Sequence, residues 1–190
     1  MNAGASRRVS ASVAVAKGQP VAFDIERVAA AAHHVIARAL PGKLGHVRLG
    51  TILWYADIEH YRRAGTSITG LTQYRRTAQG PFAVEITKSV GWLTRRGKVN
   101  EQPFEFPGYT RRDMISLQPP DPSALALPQT DILDHMTYVV TGLTASGLME
   151  MIRADRLWQE TKPGDAMVVA TGSIVTSSPY LARGSPDVVP

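Results

Sequence analysis

Residues 48–81 read RLGTILWYADIEHYRRAGTSITGLTQYRRTAQGP. Leu49, Ile52, Leu53, Tyr55 and Ala56 recur at spacings of three and four, which places them on one face of a helix. Gly65 suits the left-handed residue just past a helix end, and Arg62 and Arg63 fall in the last turn, where the helix dipole favours cations. After this stop comes a polar loop, with Thr66, Ser67, Thr69 and Thr72 available for local turn bonds. Proline needs no backbone donor at a first helical position, so Gly80-Pro81 predicts the start of the next helix. The two helices are expected to pack as an antiparallel pair joined by the loop, with Ile68 and Tyr74 pinning it and Tyr74 turned inward. Gly50 costs a helix interior up to about 1 kcal/mol against Ala, so it predicts a close crossing; Gly45 marks the helix start.

Upstream, Asp24 is a good N-cap for a helix whose stripe is Ile25, Val28, Ala32, Val35, Ile36 and Ala39, ended by Pro41-Gly42. Residues 1–22 are Gly/Ser/Ala-rich and are expected to form a disordered tail. Downstream, the third helix should run over residues 81–96, burying Phe82, Ile86, Val90 and Leu93, and end at Gly97. Alternation at residues 104–106 and 114–117 around Pro107-Gly108 predicts a small hairpin. A Pro-rich connector leads to a helix over residues 130–141, with Ile132, Leu133, Met136 and Val140 inward. Thr144 can cap a fifth helix that buries Leu148, Met151 and Ile152, and Trp158 should lie in the loop beyond it. The pattern fades after Lys162-Pro163-Gly164, and residues 168–190 read as a C-terminal tail. The expectation is one mainly α (α+β) domain over residues 23–167, with about five helices and one small two-stranded β-hairpin.

A chain of 190 residues, 44% of them hydrophobic, can bury one proper core and is short for two. The absence of cysteine removes disulfides, thiolate metal sites and a Cys nucleophile, and fits a cytoplasmic location. No apolar run approaches the roughly 18–20 residues that cross a bilayer. The patch after Arg7-Arg8 is too weakly apolar for a signal peptide. The net charge of +5 is uneven, with a basic front and an acidic final third. That split points to polar association with a partner or to complementarity within the molecule.

Asp57 and His60 lie three apart on the long helix, hence on neighbouring surface positions. They could form a general acid/base pair or two metal ligands. The competing reading is an orienting set of hydrogen bonds between helix and loop, favoured because no second ligand cluster follows. On that reading Asp57 accepts from loop backbone donors, a threonine or Tyr74. His33 and His34 are adjacent and point different ways. The glycines Gly65, Gly70 and Gly80 read as turn devices, since GxxxxGK[ST], GxGxxG and GxSxG are all absent. No metal, cofactor or convergent catalytic set is predicted. Five Arg-Arg pairs stand out, at 7–8, 62–63, 75–76, 95–96 and 111–112. They suggest a basic surface for an acidic protein or, without a recognition-helix or zinc-finger pattern, less readily for nucleic acid. Trp54 reads as core. Tyr74 and Trp158 with Arg62, Arg63, Arg75 and Arg76 give the aromatic–arginine mixture of binding hot spots, so these six are candidate partner-binding residues.

The run LGTILWYAD, Gly65 eight residues on, Thr69-Gly70, Tyr74, Gly80-Pro81 and the later Trp158 together resemble the Panacea domain, also called the SocA-like antitoxin domain, over roughly residues 23–167. Two positions depart from that pattern: the family often has a Lys at Thr51 and a His at the position aligned with Arg153. The resemblance implies a bacterial or phage antitoxin that neutralises a co-encoded protein toxin by direct binding, without catalysis or membrane attachment. In the SocA branch it implies an adaptor that presents the toxin to a cytosolic protease. Asp57, His60, Gly65, Gly70, Gly80 and Pro81 would then be a structural motif. A DNA-binding regulator and an enzyme using Asp57 and His60 are the alternatives.

Overall fold

The molecule is built around a helix whose residues 49–60 are all buried. In this computed structural model, which describes residues 23–176, that helix is α2 (His46–Ala64), preceded by α1 (Ile25–Arg38). Then come β1 (Gln73–Thr77), β2 (Gly80–Phe82), α3 (Val84–Arg95), β3 (Val99–Phe106) and β4 (Tyr109–Ser116). The C-terminal part holds α4 (Leu127–Gly142), α5 (Ala145–Ala154), α6 (Arg156–Glu160), β5 (Ala166–Val168) and α7 (Val169–Val175). Helices α1, α4 and α7 and strand β2 pack around α2, and α3 packs on α1. The result is a mostly helical α+β fold, as the sequence pattern leads one to expect, but with a three-stranded antiparallel sheet in addition to the expected hairpin. No helix among the described residues is long and apolar enough to cross a membrane.

The helix ends follow local chemistry. Asp24 Oδ1 accepts from the backbone N–H groups of Glu26 and Arg27, satisfying two orphan donors at the start of α1. Gly45 is the N-cap of α2, and Gly65 ends it at φ 69°, a left-handed conformation that glycine adopts without steric cost. Thr144 caps α5 through Gly147 N–H.

Gly50 is the close crossing. A Cβ built there would stand 2.7 Å from the Pro81 carbonyl oxygen, so only glycine lets β2 lie on α2. Pro81 is therefore not the first residue of a helix. It sits in β2, opposite Arg76 of β1, and the helix starts at Val84. β2 is an edge strand, where a missing N–H donor is tolerated.

Several sequence expectations change accordingly. The polar loop contains β1, and β1 forms the centre of a sheet ordered β2-β1-β5. Helix α3 packs on α1 and is not the antiparallel mate of α2. Phe82, expected inside, is 43% exposed, because strand alternation and not helix period sets its direction. The hairpin is larger than expected, eight residues in each arm. Trp158 lies on the short helix α6 and not in a loop. The tail expected from residue 168 starts later: Val168 belongs to β5 and residues 169–175 form α7, where Gly172 packs against Ile58 and Trp54. The expected tail at residues 1–22 and the remainder of the C-terminal one lie outside the described residues.

Candidate functional site

The loop after Gly65 is fastened to the helical body at three points. His60 Nδ1 donates to the Thr66 carbonyl at 2.6 Å; an amide oxygen can only accept, which fixes the tautomer. The Arg27 guanidinium, reaching across from α1, donates to the carbonyls of Ser67 and Ile68 at 2.5 and 2.8 Å. The third point is Asp57. Its Oδ1 accepts from Thr69 N–H at 2.9 Å, and its Oδ2 accepts from Thr69 Oγ1 at 2.5 Å and Tyr74 Oη at 2.7 Å. Gly70 follows at φ 79°, with the Arg27 stem against it.

Asp57 and Tyr74 are fully enclosed. Burial pushes the Asp57 carboxyl up to about 6, against the pull of its Thr69 and Tyr74 hydrogen bonds. Burial and the neighbouring Asp57 charge hold the Tyr74 proton on well above the ordinary phenol range. The Tyr74 ring meets Trp54 edge-on, with centroids 5.1 Å apart. A carboxyl poised near neutrality is the sort of group acid/base catalysis uses. Here, however, its three hydrogen bonds come from the chain's own loop, and its side chain has no open face toward solvent. His60 is spent on the same loop. The arrangement positions the chain between α2 and β1, as the orienting reading of these residues anticipates. Among the described residues no three or more His, Asp or Glu side chains are grouped to hold a metal ion.

Thr51, at one departure from the Panacea pattern, turns its hydroxyl back to the Val47 carbonyl at 2.8 Å and lies against Gly80. Arg153, at the other, is exposed, and its carbonyl accepts from Gln159. A second buried carboxylate was not anticipated from sequence. Asp155 caps α6 through Leu157 N–H, and its Oδ1 also accepts from Thr176 Oγ1, tying α6 to the end of α7. Tyr55 lies beside it, and burial together with that negative neighbour raises the phenol well above its usual range.

Among the described residues, most of the paired arginines are committed to partners within the fold. Arg62 and Arg63 both pair with Glu59, and Arg62 also donates to the carbonyls of Ser173 and Thr176, anchoring α7. Arg96 stacks on Trp92 at 3.7 Å. Arg111 pairs with the fully buried Asp113 and donates to the Gly42 carbonyl. Arg76 lies over Trp158 at 4.7 Å and donates to the Thr161 carbonyl. Of the six residues proposed for partner binding, Tyr74 and Trp158 are buried, and Arg62, Arg63 and Arg76 are engaged inside the fold. Arg75 differs. It is exposed, and its side chain makes no ion pair or hydrogen bond among the described residues.

Strand alternation explains the division. Tyr74 and Arg76 of β1 point to the body, as does Met167, which faces Tyr74 across the β1–β5 pair. Gln73 and Arg75 point out. In register with them stand Val168 opposite Gln73, and Ala166 and Phe82 on either side of Arg75. Ala83 is extended, so Val84 emerges on the Phe82 side. This outer face carries Phe82, Val84 and Val168 at 43, 46 and 39% exposure around one uncommitted cation. Sequence reasoning missed it because Phe82 reads as a helix residue when Pro81 is taken as a helix start. Apart from this face, a shallow depression of about 340 Å³ lies between the start of α1 and Leu125, but Arg27 in its wall is already committed to the loop.

Compared with protein-family models, with curated proteins and with solved structures, the chain matches none.

Proposed function

We propose that this chain is a protein-binding domain of the antitoxin type, which neutralises a co-encoded toxin by direct contact and performs no turnover of its own. The observation that carries the reading is the Asp57 lock. Most of the residues through which the sequence resembles the Panacea domain, Trp158 apart, converge on one construction. Asp57 grips Thr69 and Tyr74, Gly70 turns the loop, Gly65 stops α2, and Pro81 packs on Gly50. Such residues serve as scaffold, and the function is carried on the surface that the scaffold holds. A cytosolic protease would be a second partner in the adaptor form of this activity.

Expression of the neighbouring reading frame, alone and together with this chain, tests the reading. The expected result is arrested growth with the neighbour alone, restored growth with both, and a complex of the two on gel filtration. A neighbour that is harmless alone, or that remains toxic and elutes separately when this chain is abundant, refutes the proposal.

A further inference from the structure

Resting on that protein-binding reading and narrowing it to one surface, we infer that the outer face of the β2-β1-β5 sheet docks a short acidic-apolar segment of the partner protein. The segment would present a carboxylate to Arg75 and apolar side chains to Phe82, Val84 and Val168.

The charge argument comes first. Arg75 sits at the middle of the face, flanked in register by Ala166 and Phe82, and no carboxylate answers it among the described residues. The other arginines traced above, Arg62, Arg63, Arg76, Arg96 and Arg111, each have an internal carboxylate, carbonyl or ring partner. A cation among exposed apolar side chains is complemented by an anion that arrives with apolar neighbours, and enclosure by those neighbours strengthens the pair by excluding water. Size argues for a segment over a second globular surface. Strand spacing and rise give the face a plan area of about 200 Å², well below the ~800 Å² per partner of a standard interface between globular proteins. The platform is also firm: its inner side rests on Tyr74 and Met167, both buried, and Tyr74 is held by Asp57. Little ordering of the receptor is then needed on binding.

The test uses isotope-labelled full chain and three short peptides of equal length, alternating Leu with Glu, Leu with Lys, and Ser with Glu. The Leu–Glu peptide is expected to shift the amide signals of residues 73–77, 80, 82–84 and 166–168 saturably, and the other two to do so at least about tenfold more weakly. Arg75→Glu and Phe82→Ser should each weaken the Leu–Glu peptide by about tenfold or more while leaving thermal melting close to the parent, since both side chains are exposed. Arg76 is left alone, because reversing its charge would break the Trp158 stack. Equal binding of the Leu–Lys peptide, shifts centred elsewhere, no saturable shift, or self-association of the chain through this face would overturn the inference. A co-encoded toxin that binds parent and both variants equally removes this face as the contact and leaves the antitoxin reading standing. Peptide docking by a chain that neutralises no toxin removes the antitoxin reading and leaves the face.

Discussion

Asp57→Ala is expected to lower unfolding stability by about 3–5 kcal/mol, because three donors lose their acceptor together and buried unpaired groups cost about 1–3 kcal/mol each. The donors are Thr69 N–H, Thr69 Oγ1 and Tyr74 Oη. Asp57→Asn keeps the volume and one acceptor oxygen, and should cost less, about 1–3 kcal/mol near neutral pH.

The two variants separate further with pH. The Asp57 carboxyl is raised from 3.8 to about 6 in the fold. Between those values the folded chain holds a proton that the unfolded chain has released, so stability falls as pH rises from about 4 to about 6, and levels off above. A rise of that size corresponds to about 3 kcal/mol. Asparagine does not titrate. Its deficit against the parent should therefore be largest near about pH 4 and shrink by up to about 3 kcal/mol by about pH 7.5. Urea unfolding at the two pH values measures this directly. A deficit that does not change with pH would mean that Asp57 stays ionised throughout, held so by its three donors.

Gly50→Ala is the second large effect, and its sign opposes helix propensity. In an exposed helix interior the change would gain about 1 kcal/mol. Here the new methyl would lie 2.7 Å from the Pro81 carbonyl oxygen, a backbone atom that moves only if β2 moves. Overpacking of this kind costs about 1–3 kcal/mol, and β2 also carries Phe82 on the outer face. A net loss of about 2 kcal/mol is expected, with amide-exchange protection lost first along β1 and β2. A variant as stable as the parent would show that α2 and β2 are not held in contact.

What could be read from sequence follows from how local the cause is. The stop at Gly65 and the caps at Asp24 and Thr144 depend on neighbours in the chain. The Asp57 lock was legible too, because a carboxylate inside a buried helix face followed by a threonine-rich loop has few other uses. The small sheet was not legible. β2 and β5 contribute three residues each, too few for alternation to register, and β1 has one apolar residue, Tyr74. Pro81 fits a helix start and an edge strand equally well by its own chemistry; the choice is made by Gly50, some thirty residues earlier. Helix α7, VATGSIV, buries only Val169 and Gly172, too little to mark an apolar stripe. That helix is held by Arg62 and by the fit of Gly172 against Ile58, neither of which shows in its own pattern. The outer face went unseen for the same reason, since it exists only once three distant strands are side by side.

The order of strands in that sheet has a consequence for a chain still being made. β1 receives β2 almost at once, but its other edge waits for β5. About ninety residues separate them, and at a synthesis rate of roughly 5–20 residues per second the edge stays unpaired for about 5–20 s. For that interval Tyr74 also lacks Met167 as its cover. An open edge beside an uncovered aromatic invites pairing with another nascent chain, and charged residues are the usual protection against it. Arg75 and Arg76 stand on that edge strand, one on each face. Chains released before residue 166 should therefore remain dispersed with both arginines present and sediment when both are changed to Ser. The pair that in the finished fold lies against Trp158 and on the outer surface is thus expected to keep the growing protein from its own neighbours on the polysome.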